Sequence, residues 1–351
     1  MRPGDRQLTR PRLGSARLLI VVATVCASAA ACNSADAPES EGAAASAPAT
    51  AITRLDADLD ALVPPDAVVE KVAGGFQFTE GPLWRPSENR LWFSDVVGNV
   101  LRAVTPTGEV EVLIEQAGGP STAPAGGFGQ QPVRSDEPAG TVLMAQHFNR
   151  QIVRIGADRQ TSVVVDRFEG KRLNSPNDLA YGPGGALYFS DPPYGLPGQD
   201  EDPAKELDFN GVFRLVGGQL EPVVRDLGRP NGIAFSSDQR TMYVANTEPT
   251  RKVIMAYDVA ADGSVANGRV FVDATADTTP GMPDGLKLDT NGNVYATMPG
   301  GVWVIAPDGR HLGTIHTPEV AANVGWGDDG RSLYITAETG IYRVRLTAAG
   351  Y

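Results

Sequence analysis

Only two cysteines occur in the 351 residues, Cys26 and Cys32, both close to the N-terminus. Cys26 falls inside an expected leader, so the processed chain can form no internal disulfide and must be held by packing. Histidine is nearly as scarce, with three copies. His311 and His316 lie five apart on a strand-like stretch and so face opposite ways, which excludes a histidine pair for zinc and suits surface or turn positions. The chain has no Gly-x-Ser-x-Gly elbow, no Walker loop and no dinucleotide fingerprint, which argues against a serine hydrolase or a nucleotide enzyme. No amphipathic helical period is long enough for a βαβ unit. Basic residues are also in deficit. The formal charge is −12, and residues 1–31 carry five Arg against one Asp, leaving 25 basic and 41 acidic residues, a net −16. Such a chain is a poor partner for nucleic acid and a good one for a cation.

The first 31 residues read as an export signal. Arg2, Arg6, Arg10, Arg12 and Arg17 precede the apolar run from Leu18 to Ala31, which is too short to span a bilayer. The run ends Ala29-Ala30-Ala31-Cys32, suited to a lipoprotein site at Cys32 or to ordinary cleavage after small residues. Either way an extracytoplasmic protein is expected, periplasmic or membrane-anchored, touching membrane only through that lipid. Residues 32–62 are rich in Ala, Ser, Pro and Glu and lack aromatics, which predicts a disordered tether.

From Val63 to Tyr351 the texture is all-β. Short apolar runs such as Leu91-Trp92-Phe93-Ser94 and Leu187-Tyr188-Phe189-Ser190 alternate with turns such as Asp262-Gly263, Asn291-Gly292, Asp308-Gly309 and Asp329-Gly330. The strands recur about every fifty residues, in the range of propeller blades. Within that period one feature repeats six times. A polar residue sits about eleven or twelve positions ahead of an aromatic or apolar strand start: Glu80 before Trp92, Asn177 before Tyr188, Asn231 before Tyr243, Asp284 before Tyr295 and Asn323 before Tyr334. A looser copy places Gln131 before Met144, within a Gly/Pro/Gln-rich stretch read as a long loop. Blades around an axis bring equivalent positions together. The repeated residue becomes a ring of hard oxygen donors at the channel mouth, which is a site for a divalent cation.

Four members share a local grammar: Thr79-Glu80-Gly81-Pro82, Ser175-Pro176-Asn177-Asp178, Arg229-Pro230-Asn231-Gly232 and Met282-Pro283-Asp284-Gly285. Proline fixes the approach, and glycine lets the chain bend into the next strand. His147 and the pair Asp191 and Tyr194 follow inner strands toward the channel, and Arg172 stands just before the Asn174 motif. For Asp191 a turn-stabilising role competes with a pocket role.

These motifs resemble the gluconolactonase family, which includes regucalcin (senescence marker protein). The likeness rests on Glu-Gly-Pro-x-Trp at 80–84, Asn-Ser-Pro-Asn-Asp-Leu at 174–179, Tyr-Phe-Ser-Asp-Pro-Pro-Tyr-Gly-Leu at 188–196 and Pro-Asn-Gly at 230–232. Pro-Asp-Gly-Leu at 283–286 and Asn-Val-Gly-Trp-Gly at 323–327 complete it. Where many relatives carry Asn-Gly-Leu in the second blade, this chain reads Gln130-Gln131-Pro132-Val133.

The resemblance implies a six-bladed propeller with a central-channel metal site held by Glu80, Asn231 and Asp284, and Asp284 as the catalytic acid/base. Arg172, His147 and Asn323 are expected to contact substrate, and Asn177 to be a substrate contact or a more distant ligand of the cation. The expected cofactor is a divalent cation, calcium first, with magnesium, manganese or zinc as alternatives. The expected reaction is opening of a sugar lactone or similar cyclic ester. Aryl-ester or organophosphate hydrolysis on the same metal propeller, and a non-catalytic binding propeller, are the competing readings.

Overall fold

In the computed structural model, residues 51–119 and 141–350 are described. The expected signal segment, Cys32 and Gln131 lie outside them. Six antiparallel sheets form a six-bladed propeller, as the repeat predicts. The first blade runs Thr79–Arg85, Arg90–Asp95, Val100–Val104 and Val110–Glu115 from the axis outward. The second has three described strands, Val142–Gln146, Gln151–Ile155 and Thr161–Val165. The third comprises Leu179–Tyr181, Leu187–Asp191, Gly211–Val216 and Gln219–Val224. The fourth comprises Pro230–Phe235, Thr241–Glu248, Arg251–Val259 and Val265–Asp273.

The last two blades each borrow a strand from the N-terminal side. The fifth, Leu286–Leu288, Val294–Met298, Gly301–Ile305 and His311–Ile315, gains Ile52–Arg54 as an outer fifth strand. The sixth, Ala321–Gly327, Ser332–Ala337 and Gly340–Arg345, is completed by Val69–Gly74. In that closure Val69 pairs with Val344 and Gly74 with Gly340, so the two ends of the propeller are zipped into one sheet.

The segment 52–62, expected to belong to the tether, is instead part of the folded unit. Ile52 pairs with Ile315, and Leu59 and Leu62 of the turn after it are buried in the core. Its polar composition hid three apolar anchors. His316 fastens the same strand, with Nε2 2.7 Å from Thr53 Oγ1 and Nδ1 2.7 Å from the Gly300 carbonyl. His311 stacks on Trp303 with ring centroids 3.9 Å apart. Both histidines therefore serve the outer wall, away from the channel.

In three blades the aromatic of the second strand wedges neighbouring blades together. Tyr188, Tyr295 and Tyr334 are fully buried. Each meets a ring on the innermost strand of the following blade: Tyr188 on Phe235 at 4.9 Å, Tyr295 on Trp326 at 5.0 Å and Tyr334 on Trp84 at 5.7 Å. Their hydroxyls are not wasted. Tyr188 donates to the Gly263 carbonyl at 2.7 Å and Tyr334 to Asp328 at 2.9 Å. Since Tyr334 joins the last blade to the first, Tyr334→Ala should destabilise the propeller by about 3–5 kcal/mol, as for other buried aromatics. Tyr334→Phe, which loses only the hydroxyl, should cost about 1 kcal/mol. Denaturant unfolding of both variants checks this, and equal losses would show that the ring packing is not what matters.

Candidate active site

Three of the ring residues are aimed by a shared device on the second strand of their blades. Asp95 Oδ1 accepts the backbone N–H groups of Gln77 and Phe78 at 3.0 and 3.2 Å, just ahead of Glu80. Asp191 accepts those of Asn174 and Ser175 at 2.8 and 2.7 Å, ahead of Asn177. Asn246 Oδ1 accepts that of Arg229 at 2.9 Å, ahead of Asn231. Asp191 is thus a loop anchor rather than a pocket residue, and burial pushes its carboxyl up to about 7 against those two amides. The pairing register shifts between Glu80 and Leu83, between Pro230 and Ile233, and between Ala321 and Asn323. Bulges of this kind turn a side chain out of the ladder, here at the ring positions.

The glycines after the ring residues act by leaving room. A Cβ on Gly232 would lie 2.2 Å from the Asp284 carbonyl oxygen, and one on Gly285 would lie 1.9 Å from the Asn323 side chain. The next blade's ring residue therefore sits directly against the glycine. Only Gly81, at φ 58°, also needs the left-handed backbone that glycine favours.

The sequence-predicted residues come together at the axis. Glu80 is 7% exposed, and its Oε2 accepts from Asn323 Nδ2 at 3.0 Å and from the Gly81 N–H. Asn323 Oδ1 accepts its neighbour's N–H, from Val324, at 2.8 Å. Asn323, expected at the substrate, is thus committed to holding Glu80. Asn177 is committed in the same way, donating from Nδ2 to Asn231 Oδ1 at 2.5 Å and meeting His147 Nε2 with Oδ1 at 2.8 Å. Asn231 Nδ2 reaches Thr247 Oγ1 at 2.8 Å and Tyr194 Oη at 3.2 Å. Arg172 joins the rim, where Nη2 donates to the Asn149 carbonyl at 2.7 Å in the turn after His147.

Two charged residues that the motif reading passed over complete the channel. Asp178 stands where three other motifs carry glycine, and its buried carboxylate accepts the Leu179 and Ile233 N–H groups at 3.0 and 3.2 Å. Lys287 Nζ lies 3.9 Å from Asp178 Oδ2. The Asn-Asp in place of Asn-Gly was a signal for the first, and a lysine inside the apolar Leu286-Lys287-Leu288 for the second.

The electrostatics follow from crowding. Burial raises the Glu80 carboxyl to about 7, with Asp178 adding to the effect and Asn323 opposing it. Asp284, half-buried at the channel, is raised well above its ordinary value by burial, then by Glu80 and Asp178. Burial also raises Asp178, with Lys287 opposing. Ionised, these three carboxylates facing one ammonium leave two negative charges, the complement of a divalent cation. Among the described residues no cluster of three or more His, Cys, Asp and Glu side chains is arranged to hold a metal. The set that fits needs the Asn231 amide beside Glu80 and Asp284. All its donors are oxygens, which suits calcium or magnesium. Burial lowers His147 to about 4, so its ring is neutral at neutral pH.

Comparison with known proteins agrees with this architecture. The family model described as "SMP-30/Gluconolactonase/LRE-like region" matches residues 78–339. The chain belongs to this family. It is 36% identical to a gluconolactonase of Zymomonas mobilis over 85% of this chain and 87% of that protein. A gluconolactonase structure from Xanthomonas campestris superposes with TM-score 0.73 at 32% identity, covering 84% of this chain and 94% of that one. A regucalcin of Agrobacterium tumefaciens, described as a calcium-binding protein, has TM-score 0.60 at 17% identity, covering 79% of this chain and 92% of that one, and shares the fold.

The pKa shifts carry a sign for stability. Glu80 and Asp191 are raised to about 7 in the folded protein, so their contribution is full below about pH 4 and lost as pH rises to 7. His147 is lowered, so its contribution is lost as pH falls from 6.5 to about 4. The carboxylates outnumber it. Metal-stripped protein should therefore lose stability between pH 5 and 7, at about 1.4 kcal/mol per pH unit for each net proton. Denaturant titrations in EDTA at those pH values check this, and a flat or rising profile would contradict the buried-carboxylate assignment.

Proposed function

We propose that this protein is a divalent-cation-dependent lactonase that hydrolyses a sugar lactone of the gluconolactone type. The observation that carries the reading is the gathering of Glu80, Asn231 and Asp284 in the channel of a propeller from the gluconolactonase family. Its relatives named as gluconolactonases support the substrate class.

Glu80, Asn231 and Asp284 would hold the cation, which when bound polarises a carbonyl and favours ionised water near neutral pH. Calcium is the ion this donor set suits best. Glu80 is pinned by Asn323 and Gly81 and acts as a fixed ligand. Asp284 keeps more exposure to the channel and takes the proton of the attacking water at a carboxylate oxygen. It returns that proton to the ring oxygen as the lactone C–O bond breaks, releasing the open-chain acid. Neutral His147 donates from Nε2 to Asn177 and holds the wall of the site.

Asp284→Asn keeps an oxygen donor but loses the proton acceptor, so lactone hydrolysis should fall by roughly two or more orders of magnitude, typical for a lost general base. EDTA should abolish hydrolysis by the wild type and added calcium should restore it. A pH-stat assay across lactones, aryl esters and phosphotriesters checks both. Turnover that survives EDTA, or a preference for phosphotriesters, would overturn the reading.

We also propose that the chain is exported and anchored through Cys32. The support is the Ala-Ala-Ala-Cys sequence after the apolar run. The stretch from Cys32 to Ile52 gives a reach of up to about 70 Å at ~3.5 Å per residue. Cys32→Ser should move the protein from the membrane to the soluble fraction, and an unmodified residue 32 in mass spectrometry would overturn the anchor.

A further inference from the structure

Beside the ring runs a chain of hydrogen bonds whose direction is fixed at one end. Thr247 Oγ1 donates to the Pro283 carbonyl at 2.6 Å. A carbonyl oxygen only accepts, so the single hydroxyl proton of Thr247 is spent there. Toward Asn231, 2.8 Å away, Thr247 can then only accept, and the NH2 group of Asn231 must face it. Tyr194 Oη, at 3.2 Å, faces that same NH2 group. The carbonyl Oδ1 of Asn231 points the other way, 2.5 Å from the Asn177 amide, which must present its own NH2. Asn177 Oδ1 is left for His147 Nε2 at 2.8 Å, so that nitrogen carries the imidazole proton. One backbone carbonyl in the fifth blade thereby sets two amide orientations and a histidine tautomer in the fourth, third and second blades.

We infer that Thr247 is a positioning residue for the cation site, fixing the Asn231 amide with its NH2 group toward Thr247 and Tyr194 and its carbonyl oxygen toward Asn177. An amide NH2 cannot ligate a cation, so a flipped Asn231 would exchange the positions of its oxygen and NH2 group and lose the oxygen ligand proposed above. The inference rests on the cation site proposed above and adds a residue that lies outside every ring motif. Partners of this kind, hydrogen-bonded to a ligand rather than to the metal, alter metal affinity by about 10–100-fold when removed.

Calorimetric titration with calcium chloride of the wild type, Thr247→Val, Thr247→Ser and Asn231→Ala tests it. Thr247→Val, close in shape but without the hydroxyl, should weaken binding about 10–100-fold, and Thr247→Ser should stay within about threefold of wild type. Asn231→Ala should weaken binding at least as much as Thr247→Val. If Asn231→Ala leaves calcium affinity unchanged, the cation site itself is wrong. If Asn231→Ala weakens binding while Thr247→Val does not, the site stands and the role of Thr247 is overturned. A second measurement does not depend on the valine variant folding. The 15N spectrum of wild-type His147 should show the proton on Nε2, and a proton on Nδ1 would overturn the directional chain.

Discussion

Holding three carboxylates out of water near one axis is the constraint on which the rest of this structure depends. An ionised carboxylate loses several kcal/mol of solvation on burial, and like neighbours add to the loss. Glu80, Asp178 and Asp284 suffer both. What makes the arrangement tolerable is a set of donors chosen one by one. Asn323 and the Gly81 N–H serve Glu80, the Leu179 and Ile233 N–H groups and Lys287 serve Asp178, and Asn231 opposes the rise at Asp284. The remaining imbalance, two negative charges, is the complement of a divalent cation. The site is therefore a partly compensated cavity for a cation, and the mutual repulsion that burdens the metal-stripped protein becomes binding affinity in the loaded one.

A propeller suits this task because its rigidity comes from elsewhere. The aromatic wedges Tyr188 on Phe235, Tyr295 on Trp326 and Tyr334 on Trp84 lie between blades, in the apolar body. They fix the blades at a set separation, so the strand starts converge whatever their side chains are. Stability and chemistry thus occupy different positions of the same repeat. The aromatic follows the ring residue by about one hairpin, which is why the two features recur with one spacing.

That spacing is also what made the ring legible in the sequence. Five described members stand at the axis, and two pairs of them, Glu80 with Asn323 and Asn177 with Asn231, are bonded side chain to side chain. The roles were less legible than the positions. An offset locates a residue on its own blade but says nothing of its neighbour across the gap, so the bonds of Asn177 and Asn323 to their ring partners were not legible. Thr247 was invisible for a related reason: it belongs to the second strand of its blade, and only closure brings it to the axis. The strand Ile52–Arg54 escaped because three residues are too few to show a period of two, and its surroundings have the composition of a tether.

The position after each ring residue shows how a symmetric repeat becomes an asymmetric site. At Gly232 and Gly285 the next blade presses so closely that any side chain would collide with Asp284 or Asn323. At Asp178 the next blade instead offers the Ile233 N–H within hydrogen-bond reach, so a side chain fits and is welcomed as a charge. The third blade can therefore carry an extra carboxylate where its neighbours cannot. Lys287 reaches that carboxylate from two blades away, and its charge also acts on Glu80. Six equivalent strand starts would give a ring with no preferred face. One departure from glycine, answered by one lysine, breaks that equivalence.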